Sequence, residues 1–327
     1  MLSLLRFAGV AVLASGLAGC AGAGSFIDIT GLTGYADTSD RDSPSLPGRV
    51  YILRGIGHIW SGGMTDLADE LNRRGTTASA HRHSEWPELT DEAIKLYKSD
   101  PERWPIVLIG HSNGGDMAIN MAARMKSKGV PVALIVGYDP TRFSSNVPSN
   151  VRRFINLYQT TNILGGGRIH PQRDFRGQLI NVDLRNHVEI GHMNIDKSRR
   201  LQQEVIAKVL QVVAFPQPAE PSQMVSIKYV VPMRAPIELW DGGLPLRLEP
   251  GQTIQSVATL YGVPAWAIRQ ASDVGDGEEI SAGRQIIVPR HLNTLAPTGT
   301  PAPNFSDHQF GSPQGEFAGG ERHSHWQ

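Results

Sequence analysis

Within the 327-residue chain, Gly110-His111-Ser112-Asn113-Gly114 fits the pattern G-x-S-x-G. The string alone is short, and its setting gives it meaning. An apolar β-prone run, residues 105–110, ends at the first glycine, and Met117, Met121 and Met125 mark one face of a helix just beyond Ser112. A strand, a tight turn and a helix in that order lift a serine hydroxyl above a sheet, at a helix N-terminus whose positive dipole end favours an anionic intermediate. Glycines suit the strained, closely packed backbone of such a turn. A serine hydroxyl is a poor nucleophile until a base takes its proton, and the base needs an acid to orient it. Eleven histidines and 31 Asp+Glu residues supply candidates for both. His81, His83 and Glu85 alternate as strand-borne metal ligands would, but they fit the mouth of a cleft or a solvent face better, so no metal and no cofactor is expected.

The elements that must position Ser112 follow from hydrophobic periodicity. Residues 50–53, 105–110, 132–136, 154–158 and 179–182 are short apolar strands, and Thr76-Thr77-Ala78-Ser79-Ala80 reads as another strand. Between them lie helical patterns over residues 61–74 and 91–98 and through Met117–Met125, and Ile195, Leu201, Val205, Val209 and Val213 mark a last helix. Strands alternating with helices predict an α/β fold: a mostly parallel sheet with helices on both faces and function at the carboxyl ends of its strands. With 40% apolar and 19% charged residues the chain can bury a core. A formal net charge of zero argues against a nucleic-acid binder held by bulk positive charge. One cysteine excludes an internal disulfide, a multi-cysteine zinc site and an iron–sulfur cluster.

On the elbow and this element order, residues 49–214 resemble the α/β-hydrolase superfamily. The resemblance implies the chain order Ser, acid, His. Of the histidines after Ser112, His187 and His192 fall between the last strand and the last helix; His192 is favoured as base, because a glycine precedes it and the helix follows. Asp139, in Gly137-Tyr138-Asp139-Pro140, is the implied acid. Many hydrolases carry the acid after the next strand, which here ends in Gln159-Thr160-Thr161-Asn162 without a carboxylate; the earlier position resembles the thioesterase branch. Asp183 is the alternative acid. The oxyanion hole implied by the resemblance takes one N–H from Asn113 and a second from Ile56 or Gly57, in the glycine-bearing loop after the first strand.

Both ends of the chain carry further signals. Residues 1–20 read as an export signal rather than a membrane span, with one Arg6, about fourteen small and apolar residues, and Cys20 at the cleavage point. Leu17-Ala18-Gly19-Cys20 resembles the lipobox of bacterial lipoproteins, which implies acylation of Cys20 and a membrane-anchored place in the bacterial cell envelope. Residues 21–48 read as a flexible spacer, and residues 215–244 as a Pro-rich linker followed by a hairpin signalled by Asp241-Gly242-Gly243. Residues 245–290 read as β-α-α-β and resemble a LysM module, over PGQTIQSVATLYGVPAWAI and SAGRQIIVP. That resemblance implies binding of peptidoglycan or another N-acetylglucosamine polymer through Gly251, Gln252, Thr253, Ile254 and residues 275–281, although Gln252 replaces the usual acid and Ser272 the usual asparagine. Residues 291–327 read as a disordered tail. The expected protein is an envelope-anchored serine hydrolase acting on an ester or thioester. A non-catalytic peptidoglycan tether with a degenerate hydrolase scaffold is the competing reading, and amidase or peptidase action a third.

Overall fold

A computed structural model of the protein describes residues 46–56, 61–99, 105–214, 225–240 and 242–291. The export signal, Cys20, most of the spacer, Gly57 and the tail beyond His291 lie outside the described residues. Seven strands form one sheet: β1 (Leu46–Arg54), β2 (Thr76–Arg82), β3 (Ile106–His111), β4 (Leu134–Tyr138), β5 (Arg153–Tyr158), β6 (Gln178–Asp183) and β7 (Val225–Val230). Their order is β2-β1-β3-β4-β5-β6-β7, and every pairing is parallel. The fold is α/β, a parallel sheet with helices on both faces. The chain goes outward from β1 to β2 and then crosses back to β3. This puts the switch point, where such sheets hold ligands, at the carboxyl ends of β1 and β3.

Alternation along the strands builds a core on each face. In β1, Val50 and Ile52 face one cluster while Tyr51 and Leu53 face the other. Helices α1 (Gly62–Arg73) and α4 (Arg199–Ala214) cover the first face through Met64, Leu67, Leu71, Leu201, Val205 and Val209. Helices α2 (Trp86–Ser99) and α3 (Asn113–Lys126) cover the second through Leu89, Ala93, Ile119, Met121 and Met125. Strands β3 to β6 are buried along their whole length. That explains their continuous apolar runs, since both faces of a parallel sheet are covered.

Three expectations change. The strand starts at Leu46, inside the expected spacer. The expected linker and hairpin supply β7, which extends the large sheet by pairing with β6, because Ile227 and Tyr229 alternate into the apolar core. The last helix starts at Arg199, and Ile195–Lys197 forms a separate 3-10 turn, broken by the extended backbone of Ser198. Beyond β7 come β8 (Leu244–Arg247), α5 (Ile254–Tyr261), α6 (Ala265–Ala271) and β9 (Gln285–Val288), with β8 and β9 antiparallel. This β-α-α-β unit is not loosely strung. Ile254, Val257 and Ile268 share one apolar cluster with Ile227 and Tyr229 of β7. The Gln270 side chain acts as a surrogate strand on the open edge of β7: Nε2 donates to Val230 O at 3.0 Å, and Val230 N–H donates to its Oε1 at 2.6 Å. Covering an edge this way removes a template for unwanted pairing.

Candidate active site

Ser112 stands at the end of β3 with φ 54° and ψ −126°, outside the regions open to most side chains. The turn is held by Ser112 N–H donating to Tyr138 O at 2.9 Å. It is also held by packing: a Cβ on Gly110 would strike the Gly114 backbone, and one on Gly114 would strike Leu53 O. Those two contacts are why the motif needs glycine on both sides of the serine. Asp139, directly after β4, is a second non-glycine residue with positive φ, 48°. Three non-glycine residues of the described chain have positive φ, and two of them are Ser112 and Asp139. Non-glycine residues held at positive φ cluster at functional sites, and these two stand at the ends of neighbouring strands.

The side chains form an unbroken line. His192 Nε2 lies 2.9 Å from Ser112 Oγ, and His192 Nδ1 lies 2.8 Å from Asp139 Oδ2. Asp139 is fully buried, and the His192 side chain is 9% exposed. The arrangement allows a proton to pass from Ser112 Oγ to His192 while a carboxylate faces the imidazolium that results. His187 stands apart from this line: its Nδ1 lies 3.4 Å from Glu189 Oε1, and its carbonyl accepts from Gln159 Nε2. Asp183 is likewise committed elsewhere, to Thr160 Oγ1 and the Arg185 guanidinium. His81 bonds Ser79 Oγ at 2.7 Å and Glu85 Oε2 at 3.3 Å. No group of three or more His, Cys, Asp or Glu suited to a metal occurs among the described residues.

The N–H groups of Asn113 and Ile56 have no acceptor among the described residues, as oxyanion donors require. Gly55 N–H is occupied, donating to Ser61 Oγ at 3.3 Å.

Five supporting residues went unread in the sequence. Asn162 Nδ2 donates to Asp139 Oδ2. The strand end that carries no carboxylate thus supplies an amide to the carboxylate of its neighbour. Gly165 packs so closely on Asp139 that a Cβ there would overlap the carboxylate. His111, inside the motif itself, holds three segments together. Its Nε2 bonds His192 O at 2.7 Å, and its Nδ1 bonds Ser61 Oγ at 2.9 Å. A carbonyl can only accept, so Nε2 carries the proton and Nδ1 accepts from the Ser61 hydroxyl. Burial pushes the His111 pKa down to about 4, against the upward pull of the His192 carbonyl, which keeps the ring neutral in that tautomer. Ser61 is the N-cap of α1, yet its hydroxyl makes no capping bond and serves His111 and Gly55 instead. Only the serine-before-helix signal was visible in sequence. Asp116, in the first turn of α3, accepts from Thr141 N (2.9 Å), Thr141 Oγ1 (2.6 Å) and Ser144 Oγ, and so holds the loop that follows Asp139. Burial raises its pKa, and these hydrogen bonds oppose the rise.

In the β-α-α-β unit, Thr253 caps α5 by accepting from Ser256 N, and Gln252 Oε1 accepts from Glu249 N. Gly251 is exposed, with φ 83°, whereas Ile254 is buried in the core and offers no side chain to a glycan. As the first residue of α5 it faces inward.

Residues 66–153 match the Thioesterase domain family, a stretch that contains Ser112 and Asp139 and ends before His192. A protein of Xanthomonas campestris pv. campestris placed in the α/β-hydrolase superfamily is similar at 15% identity, covering 49% of this chain and 96% of that one, with a TM-score of 0.28. RedJ, solved with a polyethylene glycol molecule in its active site, is similar at 14% identity, covering 35% of this chain and 54% of that one, with a TM-score of 0.21. No curated protein matches the sequence. The family match, on a sheet of this topology, supports a hydrolase.

Proposed function

We propose that this protein is a serine hydrolase that cleaves esters or thioesters through an acyl-enzyme. The observation that carries the reading is the line from Ser112 Oγ through His192 to Asp139 Oδ2, with both hydrogen bonds at 2.8–2.9 Å. His192 takes the Ser112 proton as Oγ attacks the acyl carbonyl carbon. The carbonyl π pair moves to oxygen, where the N–H groups of Asn113 and Ile56 face it. As that pair returns, the C–O or C–S bond breaks, and the leaving alkoxide or thiolate takes the proton from His192. Water then attacks the acyl-enzyme with the same base, releasing the acid and restoring Ser112. Asp139 orients His192 and faces its positive charge. The Thioesterase family match supports ester and thioester substrates over amides. The intact line supports a working catalyst over a degenerate scaffold.

The proposed setting is the bacterial envelope, with Cys20 acylated and the protein anchored to a membrane. The β-α-α-β unit, read as a LysM module, would hold the enzyme near peptidoglycan through the Gly251–Thr253 turn and residues 275–281. Its shared core with β7 supports a module that holds the hydrolase in one orientation to the wall. Hydrolysis of p-nitrophenyl esters and acyl thioesters of graded chain length, with Ser112→Ala alongside, tests the central reading. Turnover that persists in Ser112→Ala, or turnover of peptide bonds alone, would overturn it.

A further inference from the structure

Ten large apolar side chains are exposed among the described residues, and their placement is uneven. Three belong to the β-α-α-β unit: Leu244, Leu260 and Tyr261. All the others follow carboxyl ends of the parallel sheet. Ile56 follows β1, and Phe143 follows β4. Ile163 and Leu164 follow β5, adjoining the Asn162 that touches Asp139. Val188 and Met193 sit in the His192 loop, and Met233 follows β7. Exposure runs from 42% at Met193 to 85% at Val188. The outer faces of the helices that cover the sheet carry none, among the described residues. Single exposed apolar residues are ordinary, but a set confined to the loops at one edge of the sheet marks a surface that meets something apolar.

Charge names the partner. In the stretches 139–144, 159–170, 184–198 and 231–236 the exposed cations are Arg142, Arg168, Lys197, Arg234 and Arg185, the last held by buried Asp183. The exposed carboxylate of those stretches is Glu189 alone. The whole chain has a formal net charge of zero, so the excess is local. Arg142 adjoins Phe143 and Arg234 adjoins Met233, each pairing an apolar tip with a cation. Apolar tips that enter the acyl boundary beside cations at headgroup level suit an anionic bilayer.

We propose that the carboxyl edge of the sheet docks on an anionic lipid surface. On the hydrolase reading, on which this clause rests, the substrate is then a lipid-borne acyl ester that meets Ser112 at the membrane. The test is flotation with vesicles of the chain lacking residues 1–20, which contribute no described element, in a Ser112→Ala background. Binding to equal parts phosphatidylcholine and phosphatidylglycerol is expected to exceed binding to phosphatidylcholine alone by about tenfold, and to weaken with added salt. Phe143→Ser combined with Val188→Ser and Met233→Ser should weaken binding by about tenfold or more. Arg142→Gln with Arg234→Gln, which changes no apolar residue although it gives up the Arg142 hydrogen bond to Ile163 O, should remove most of the preference for phosphatidylglycerol. Thermal melts show that each variant is folded. Failure of the parent to float with phosphatidylglycerol vesicles overturns the proposal. So does equal binding by the folded variants, or a parent dimer that only the apolar changes dissociate. The readout needs no turnover, so a hydrolase that fails to hydrolyse would count against the catalytic reading and leave this result standing.

Discussion

The carboxyl edge of the large sheet and the β-α-α-β unit satisfy their backbones and polar groups in different ways. In the small unit the left-handed positions are mostly glycine: Gly251, Gly262, Gly277 and Gly283, with Asp273 the exception. Its helix α5 starts with a capping box spanning Thr253 to Ser256 and ends on Gly262 at φ 63°. Around Ser112 the strained positions belong to side chains that take part in the site. The polar links also reach far along the chain, 80 residues from His192 to Ser112 and 53 from His192 to Asp139. One region keeps local rules at all but Asp273, and such a backbone suits a part that holds. The other breaks them where the reaction is read to occur, which is where strain is stored in functional sites.

That contrast sets what each substitution should do. Changes at the sheet edge should cost turnover and little stability, and changes in the small unit the reverse. The largest effect is expected for His192→Gln, a loss of about 10³- to 10⁴-fold in kcat with an unchanged melting temperature, read from steady-state kinetics. Next comes Gly165→Ala, whose methyl displaces Asp139 from His192. It should lower kcat about 10- to 100-fold while KM holds, since a small misplacement of an oriented group is costly. His111→Phe removes the hold on the His192 carbonyl and on Ser61. About tenfold in kcat is expected to go, with partial recovery in His111→Gln, which can still donate to that carbonyl.

Two smaller effects sharpen the comparison on the stability side. Asp196, four residues past His192, is fully buried, and no side chain among the described residues donates to its carboxylate. Burial raises its pKa to about 6. A raised folded pKa gives stability that is complete below about pH 4, the ordinary carboxylate range, and is lost as pH rises through about 6. Asp196→Asn should therefore raise stability at pH 7.5 by roughly 1–3 kcal/mol and flatten its dependence between pH 4 and 6, measured by chemical denaturation at each pH. Thr253→Ala should cost about 1 kcal/mol through the lost N-cap, with turnover unchanged.

Much of the fold was legible because it is periodic. Buried strands show as apolar runs, and α1 shows as Met64, Leu67, Ala68 and Leu71 at helical spacing. The run at residues 132–136 falls on β4, whose true span ends at Tyr138 and so leaves Asp139 directly at its carboxyl end. Strand β7 was hidden by its short half-buried alternation after a Pro-rich stretch, since periodicity cannot say which sheet an edge strand joins. Ser112, His192 and Asp139 were reachable through motif, chain order and resemblance. Asn162, Gly165 and His111 were not. Each acts through a contact between loops distant in sequence, and an amide, a glycine or a second histidine carries no spacing signal. Ile254, which the LysM resemblance puts in the groove, is also the first apolar residue of α5, and its side chain faces inward.

The most direct test of the central claim is a fluorophosphonate reaction with the chain lacking residues 1–20, followed by mapping of the adduct. The account predicts one phosphonyl group on Ser112 Oγ, none in Ser112→Ala, and strongly slowed labelling in His192→Gln. Labelling at another residue, or equal labelling of parent and Ser112→Ala, would contradict it.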